Sequence, residues 1–153
     1  MRIIRKDLIK FSEKQVNLLK QIKKHEGFKS SVYKCTEGYD TIGYGFAVKD
    51  LIIDEDIADL ILMRKLKRLL EQIIATFSWF KDSPEDVKFV VTNMCYQIGV
   101  NGFSKFKKTI YLLETEQYKD ASEEMLDSKW ARSDSPGRAK ELSKIIAKVK
   151  SRQ

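Results

Sequence analysis

Cysteine and histidine are scarce: the 153 residues include two cysteines, Cys35 and Cys95, and one histidine, His25. Two thiols cannot build a disulfide scaffold, and they lack the paired spacing of a zinc site, so both are expected to be free. Long apolar runs are also missing, the longest being only a few residues, which excludes a membrane-spanning helix. The opening MRIIRKDLIKFSEK is broken by charge every few residues and so does not read as the apolar core of a signal peptide. The expectation is synthesis in the cytoplasm, with any exit by another route. Repeats, low-complexity tracts and linker-like stretches are absent, which leaves a single domain with room for two lobes.

Charge is plentiful and unevenly placed. The formal net charge is +7. Residues 1–25 carry +6 and residues 138–153 carry +5, so the stretch between them is acidic overall, at −4. Basic ends around an acidic middle suit a protein that approaches a polyanion while keeping acids at its working site. Nucleic acid, anionic lipid and bacterial envelope polymers all fit that description. A lysine-rich solvated helix face fits it too.

The local patterns read as follows. Ser12-Glu13-Lys14-Gln15 is a capping-box signature, and Val16, Leu19 and Ile22 continue a helical stripe to about His25, which Gly27 ends. Residues 31–48 switch to strand formers, Val32, Tyr33, Tyr39, Thr41, Ile42 and Tyr44, punctuated by Gly38, Gly43 and Gly45. Glu37-Gly38 has the look of a hairpin turn. Beyond this small sheet the chain reads as helix. Asp54 can cap a long helix with Ile57, Leu60, Ile61, Leu69, Leu70, Ile73, Ile74 and Phe77 along one side. Ser83-Pro84 opens a second, with Val87, Val90, Val91, Met94, Cys95 and Ile98 inward and Gly99 closing it. Short helices are expected near 105–114 and 116–128, and a last one from Pro136 to about Lys150. The fold class is α+β, a small early sheet followed by a helical body.

Within this order the segment HEGFKSSVYKCTEGYDTIGYG, 25–45, concentrates the candidate chemistry. Glu26 stands where helix gives way to sheet, and a carboxylic acid at such a junction can donate a proton to a leaving oxygen. Spacing alone favours the plainer reading, an exposed glutamate that merely ends a helix. His25 suits a cation at a helix C-terminus better than a catalytic base. Glu37 and Asp40 are candidate partner carboxylates, but strand alternation keeps Asp40 and Thr41 on opposite faces unless a bulge intervenes. Cys35 is either a working thiol or a small hydrophobe, whereas Cys95 lies on the apolar side of its helix and reads as core.

Glu26, Cys35 and Thr41 also form the pattern E-x(8)-C-x(5)-T, followed by TIGYG. This resembles the lysozymes of the T-even phage type, a glycoside hydrolase family whose motif is E-x(8)-D-x(5)-T and then TIG-x-G. TNMCYQIGVNGF (92–103) and SKWARSDSPGRAK (128–140) are similar to the family's central-helix and C-terminal segments, in the same order. The resemblance covers roughly residues 17–150.

What it implies is a lysozyme-like domain over 1–153: a sheet lobe at about 26–53, a linking helix at about 54–77, and a helical lobe at about 78–153 that also takes in the N-terminal helix, with the cleft between the lobes. It further implies a muramidase (an endolysin) acting on peptidoglycan. Glu26 would be the general acid, Thr41 would place the attacking water and Cys35 would occupy the aspartate position. Glu37, Tyr96, Gln97 and Arg138 would meet substrate, with Arg138 at the position that pairs with the catalytic glutamate. Trp130 would be structural. No cofactor or metal is needed, because an acid and a placed water suffice. The expected setting is a monomer, without stable membrane insertion or nucleic acid, reaching the wall from the cytoplasm through a holin-type pore. Three departures stand out: cysteine at 35, Phe46 where the T-even enzyme has histidine, and a shortened segment between Gly45 and Asp54. The rival readings are a degenerate lysozyme fold that binds sugar without turnover, and a basic helical domain that binds nucleic acid.

Overall fold

The computed structural model describes residues 11–152. The first ten residues, which hold much of the basic N-terminal stretch, lie outside them. The chain divides into two compact units after Leu60.

The first unit opens with α1, Glu13–Glu26. Ser12 and Gln15 cap it reciprocally: the Ser12 hydroxyl accepts from the Gln15 N–H at 3.3 Å, and Gln15 Oε1 accepts from the Ser12 N–H at 2.8 Å. Lys23, Lys24 and His25 fill the last turn, where the helix dipole favours cations. Gly27 then stops the helix with φ +67°, its N–H bonding the Lys23 carbonyl. The helix leaves its last residue, Glu26, at the entrance to the sheet.

That sheet has three antiparallel strands in chain order, β1 (Lys29–Lys34), β2 (Asp40–Gly43) and β3 (Phe46–Ala47). The β1–β2 turn is the one expected at Glu37-Gly38: the Gly38 N–H donates to the Cys35 carbonyl at 2.9 Å, and Gly38 has φ +82°. Lys34 sits opposite Asp40 and Tyr33 opposite Thr41, with an irregularity between Lys29 and Tyr33.

The division after Leu60 falls within α2, Glu55–Thr76. Its apolar stripe, expected to face inward throughout, is buried only toward its C-terminal end. Ile73 and Phe77 join the core and Leu69 packs against it, whereas Ile57, Leu60, Ile61, Leu70 and Ile74 remain exposed.

The second unit is helical. Its centre is α3, Glu85–Phe103, whose Val87, Val90, Val91 and Met94 are no more than 1% exposed. Each such side chain contributes about 1.5–3 kcal/mol through burial. Gly99, expected to end this helix, instead kinks it: at φ +75° and ψ 162° it interrupts the helix, which resumes to Phe103. Of the helices that follow, α4 (Lys107–Glu114) packs against α5 (Tyr118–Leu126), α5 against α6 (Pro136–Ala147), and α6 against α3. The sequence extended α6 to Lys150, but regular helix stops three residues sooner. A π-turn over Trp130–Asp134, absent from the sequence reading, is closed by the Ser135 N–H donating to the Trp130 carbonyl at 2.7 Å. None of the described helices is long and apolar enough to cross a membrane.

Candidate active site

The first unit brings three of the candidate residues close together. Cys35 ends the turn side of β1: its N–H donates to the Tyr39 carbonyl at 2.9 Å, closing the hairpin. The thiol is half-buried and free. Its pKa is lowered, first by a hydrogen bond from the backbone at Tyr39 and then by one from Glu37. The Thr41 hydroxyl lowers it further, while partial burial and the Glu37 charge oppose the shift. A turn that directs backbone N–H groups at a sulfur favours the thiolate in the way such groups favour any anion.

Thr41 is only 4% exposed, and its hydroxyl donates to the Tyr39 carbonyl at 3.1 Å. The oxygen therefore has two acceptors near it, the Tyr39 carbonyl and the Cys35 sulfur, for a single proton. While that proton is on the carbonyl, the lone pairs of Oγ1 are free to receive a hydrogen bond from water. Glu37 lies exposed in the turn and reaches Cys35 through its backbone and its charge.

Glu26 is exposed at the end of α1. Its carboxylate lies against the bare α-carbon of Gly45, in the β2–β3 turn: a Cβ built on Gly45 would stand 2.6 Å from Glu26 Oε2. Gly45 has φ +75°, in the region that favours glycine. Phe46, in place of the histidine expected from the family, lays its ring over Gly43 and meets Tyr44 edge-on at 6.3 Å.

Asp40 is separated from this group. Its carboxylate pairs with Lys34 Nζ at 2.7 Å, and both side chains are more than half exposed. The alternation read from sequence holds, with Thr41 buried and Asp40 outward.

The remaining candidates belong to the second unit. Gln97 Oε1 accepts from the Trp130 indole N–H at 3.0 Å, which fits the structural role given to that tryptophan. Trp130 is 4% exposed and meets Phe106 edge-on. Tyr96, one residue earlier, lines a different hollow of about 410 Å³ with Lys65, Arg68, Leu69 and Gln72. Arg138 is fastened to α3, its Nε donating to Asn93 Oδ1 at 2.6 Å and its Nη2 to the Asn93 carbonyl at 3.3 Å. Two residues with contacts here escaped the sequence reading as individuals. Gly45 was present inside TIGYG, but only as punctuation. Asn93 is a polar residue four positions before Gln97 on α3, and that spacing was the available signal.

A family model described as phage lysozyme matches residues 23–148. The chain belongs to the phage lysozyme family. Two relatives from Dictyostelium discoideum agree with this. The protein named probable T4-type lysozyme 1 is 27% identical over 154 residues, spanning 82% of this chain and 90% of that one. Probable T4-type lysozyme 2 is 26% identical over 145 residues, spanning 75% and 85%. The family match begins inside α1 and ends just beyond α6, so it takes in Glu26, Cys35, Glu37, Thr41, Tyr96, Gln97 and Arg138. Membership in this family points to glycoside hydrolysis and implies peptidoglycan as the substrate class.

Proposed function

We propose that this protein is an active muramidase, cleaving the β-1,4 bond between N-acetylmuramic acid and N-acetylglucosamine. One observation carries the reading: the phage lysozyme match runs unbroken across the helix-to-sheet junction that holds Glu26, Cys35 and Thr41. Glu26, the acid, donates its proton to the glycosidic oxygen as the bond from the anomeric carbon breaks. Thr41 positions a water against that carbon, and the Cys35 thiolate takes the proton the water loses. Exchange with solvent then returns a proton to Glu26 and removes one from Cys35. Lowering the Cys35 pKa enlarges the fraction present as thiolate, the form able to take that proton. Tyr96, Gln97 and Arg138 are the saccharide-binding candidates of the helical unit.

The test is product analysis on purified peptidoglycan. Fragments should end in reducing N-acetylmuramic acid, and the new anomer should be inverted, because a base-assisted water attacks the face opposite the leaving group. A retained anomer would make Cys35 a nucleophile instead. Glu26→Gln removes the transferable proton while keeping the shape, and should lower the rate by ~100- to 10,000-fold. Near-parental turnover in a folded Glu26→Gln variant sinks the assignment, as does saccharide binding by the parent without any cleavage.

A further inference from the structure

Gly45 contributes no side chain and no charge, yet the Glu26 carboxylate rests against it. A Cβ at this position would lie 2.6 Å from Glu26 Oε2 and 3.4 Å from its carboxyl carbon. The other positive-φ glycines behave differently. Gly27, Gly38 and Gly99 have nothing within 4 Å of a built Cβ, and Gly43 would meet the Phe46 ring. These glycines are explained by backbone conformation or by ring packing. Gly45 alone among them stands against a carboxylate.

We propose that Gly45 is a positioning residue for Glu26, the missing Cβ being what allows the acid to lie flat on the β2–β3 turn. The proposal rests on the reading of Glu26 as the general acid. The turn is fixed by the sheet, since Thr41 pairs with Ala47 and Ile42 with Phe46 on either side of it. Glu26 reaches it from the end of a helix that is capped at its start and stopped by Gly27. An exposed glutamate with a free side chain samples several rotamers. Contact with a flat glycine surface removes those that would point through the turn. A methyl group at 45 forces the carboxylate to retreat by about 0.8 Å to restore an ordinary 3.4 Å contact. The retreat is cheap in stability, because the atom displaced is the tip of a flexible chain. It is costly in rate, because a misplacement of about 1 Å at a reacting group can cost ~100-fold.

That asymmetry defines the experiment. Gly45→Ala and Gly43→Ala are prepared side by side, since both put a methyl group at positive φ in the same turn and only one of them touches Glu26. Gly45→Ala should lose ~100-fold in kcat with KM little changed. Gly43→Ala should lose more stability, because its Cβ meets a ring, and should keep most of its kcat. In a Glu26→Asp background, whose shorter acid no longer reaches position 45, adding Gly45→Ala should cost far less than it does in the parent. Crystal structures of the two alanine variants give a readout independent of activity, with the Glu26 carboxylate displaced in Gly45→Ala only. Equal kcat losses in the two variants, an undisplaced carboxylate, or a Gly45→Ala effect that persists with the shorter acid would each overturn the proposal. If the parent fails to cleave peptidoglycan, the functional reading fails. The crystal comparison still decides whether Gly45 sets the position of the carboxylate.

Discussion

The two cysteines offer a direct test of the site because the fold treats them oppositely. Cys95 is 1% exposed on α3, and burial pushes its pKa to about 12. At pH 7.5 that leaves about 3 in 100,000 molecules as thiolate, whereas an ordinary thiol of pKa ~8.5 is roughly a tenth ionised. Cys35 is shifted to the ionised side of ordinary. An ordinary thiol thus exceeds Cys95 in thiolate population by ~3,000-fold, and the Cys35 shift acts in the same direction. The more basic Cys95 thiolate recovers part of this through higher intrinsic nucleophilicity, roughly 40-fold for a 3.5-unit difference at a Brønsted slope of about 0.45. The net preference is then about 100-fold before burial adds its own shielding.

An aromatic disulfide such as 5,5′-dithiobis(2-nitrobenzoate) reads this directly. The native protein should release one equivalent of chromophore quickly and the second only after unfolding in guanidinium. Loss of peptidoglycan hydrolysis should track the first equivalent, and Cys35→Ser should lack the fast phase. Two fast equivalents, or a fast phase surviving Cys35→Ser, refute the account of the two environments. Complete modification of Cys35 with undiminished hydrolysis refutes its place in the mechanism.

Two further outcomes follow from the helical unit and its buried groups. Arg138→Ala removes two hydrogen bonds to Asn93 from a half-buried guanidinium and should cost ~1–3 kcal/mol in urea denaturation; an unchanged midpoint would mean that the link holds nothing. The raised pKa of Cys95 should make the parent less stable in alkali. Below about pH 8.5 this thiol is protonated in both states and the stability is fully present; from there towards pH 12 only the unfolded chain releases the proton, and stability falls by ~1.4 kcal/mol per pH unit from this group. Cys95→Ala should start less stable and decline less steeply, so parallel curves for the two proteins would rule the effect out.

How far the sequence led depended on how local each determinant is. The cap at Ser12 and Gln15, the stop at Gly27, the turn at Gly38 and the buried face of Val87, Val90, Val91 and Met94 are set by neighbours within a few positions, and all were legible. The kink at Gly99 was half legible. A glycine signals a departure from helix, but whether the chain resumes depends on what Val100 and Phe103 can pack against. The π-turn at 130–134 follows from seating Trp130 between Gln97 and Phe106, contacts more than twenty residues away in sequence. The same holds for the site. Glu26, Cys35 and Thr41 were singled out through a spacing that resembles a family's, but spacing does not set the direction of the Cys35 shift, because Lys34 and the nearby acids pull against each other. Backbone donors settled it, and their aim is fixed only once the turn is folded.

The rival to Cys35 is Asp40, a carboxylate five residues further on, and the strand register decides what each can do. Lys34 and Asp40 form one cross-strand pair, Tyr33 and Thr41 the next, so the two pairs face opposite sides of the sheet. Asp40 spends its charge on Lys34 at 2.7 Å, an exposed pair of the kind worth ~0–1 kcal/mol. Cys35, one residue past Lys34, falls on the side of Thr41, whose hydroxyl is one of the groups that lower the Cys35 pKa. On the proposed mechanism, a water placed by Thr41 would lie on the Cys35 side of the sheet and away from the Asp40 carboxylate. Asp40→Asn should leave both the melting temperature and the hydrolysis rate close to parental. Cys35→Ala should keep the fold and lose most of the rate, and Cys35→Asp should recover much of it, since a carboxylate at 35 would receive the same backbone donors. An active Cys35→Ala enzyme beside a dead Asp40→Asn one would reverse the assignment and require the water to approach from the other face of β2.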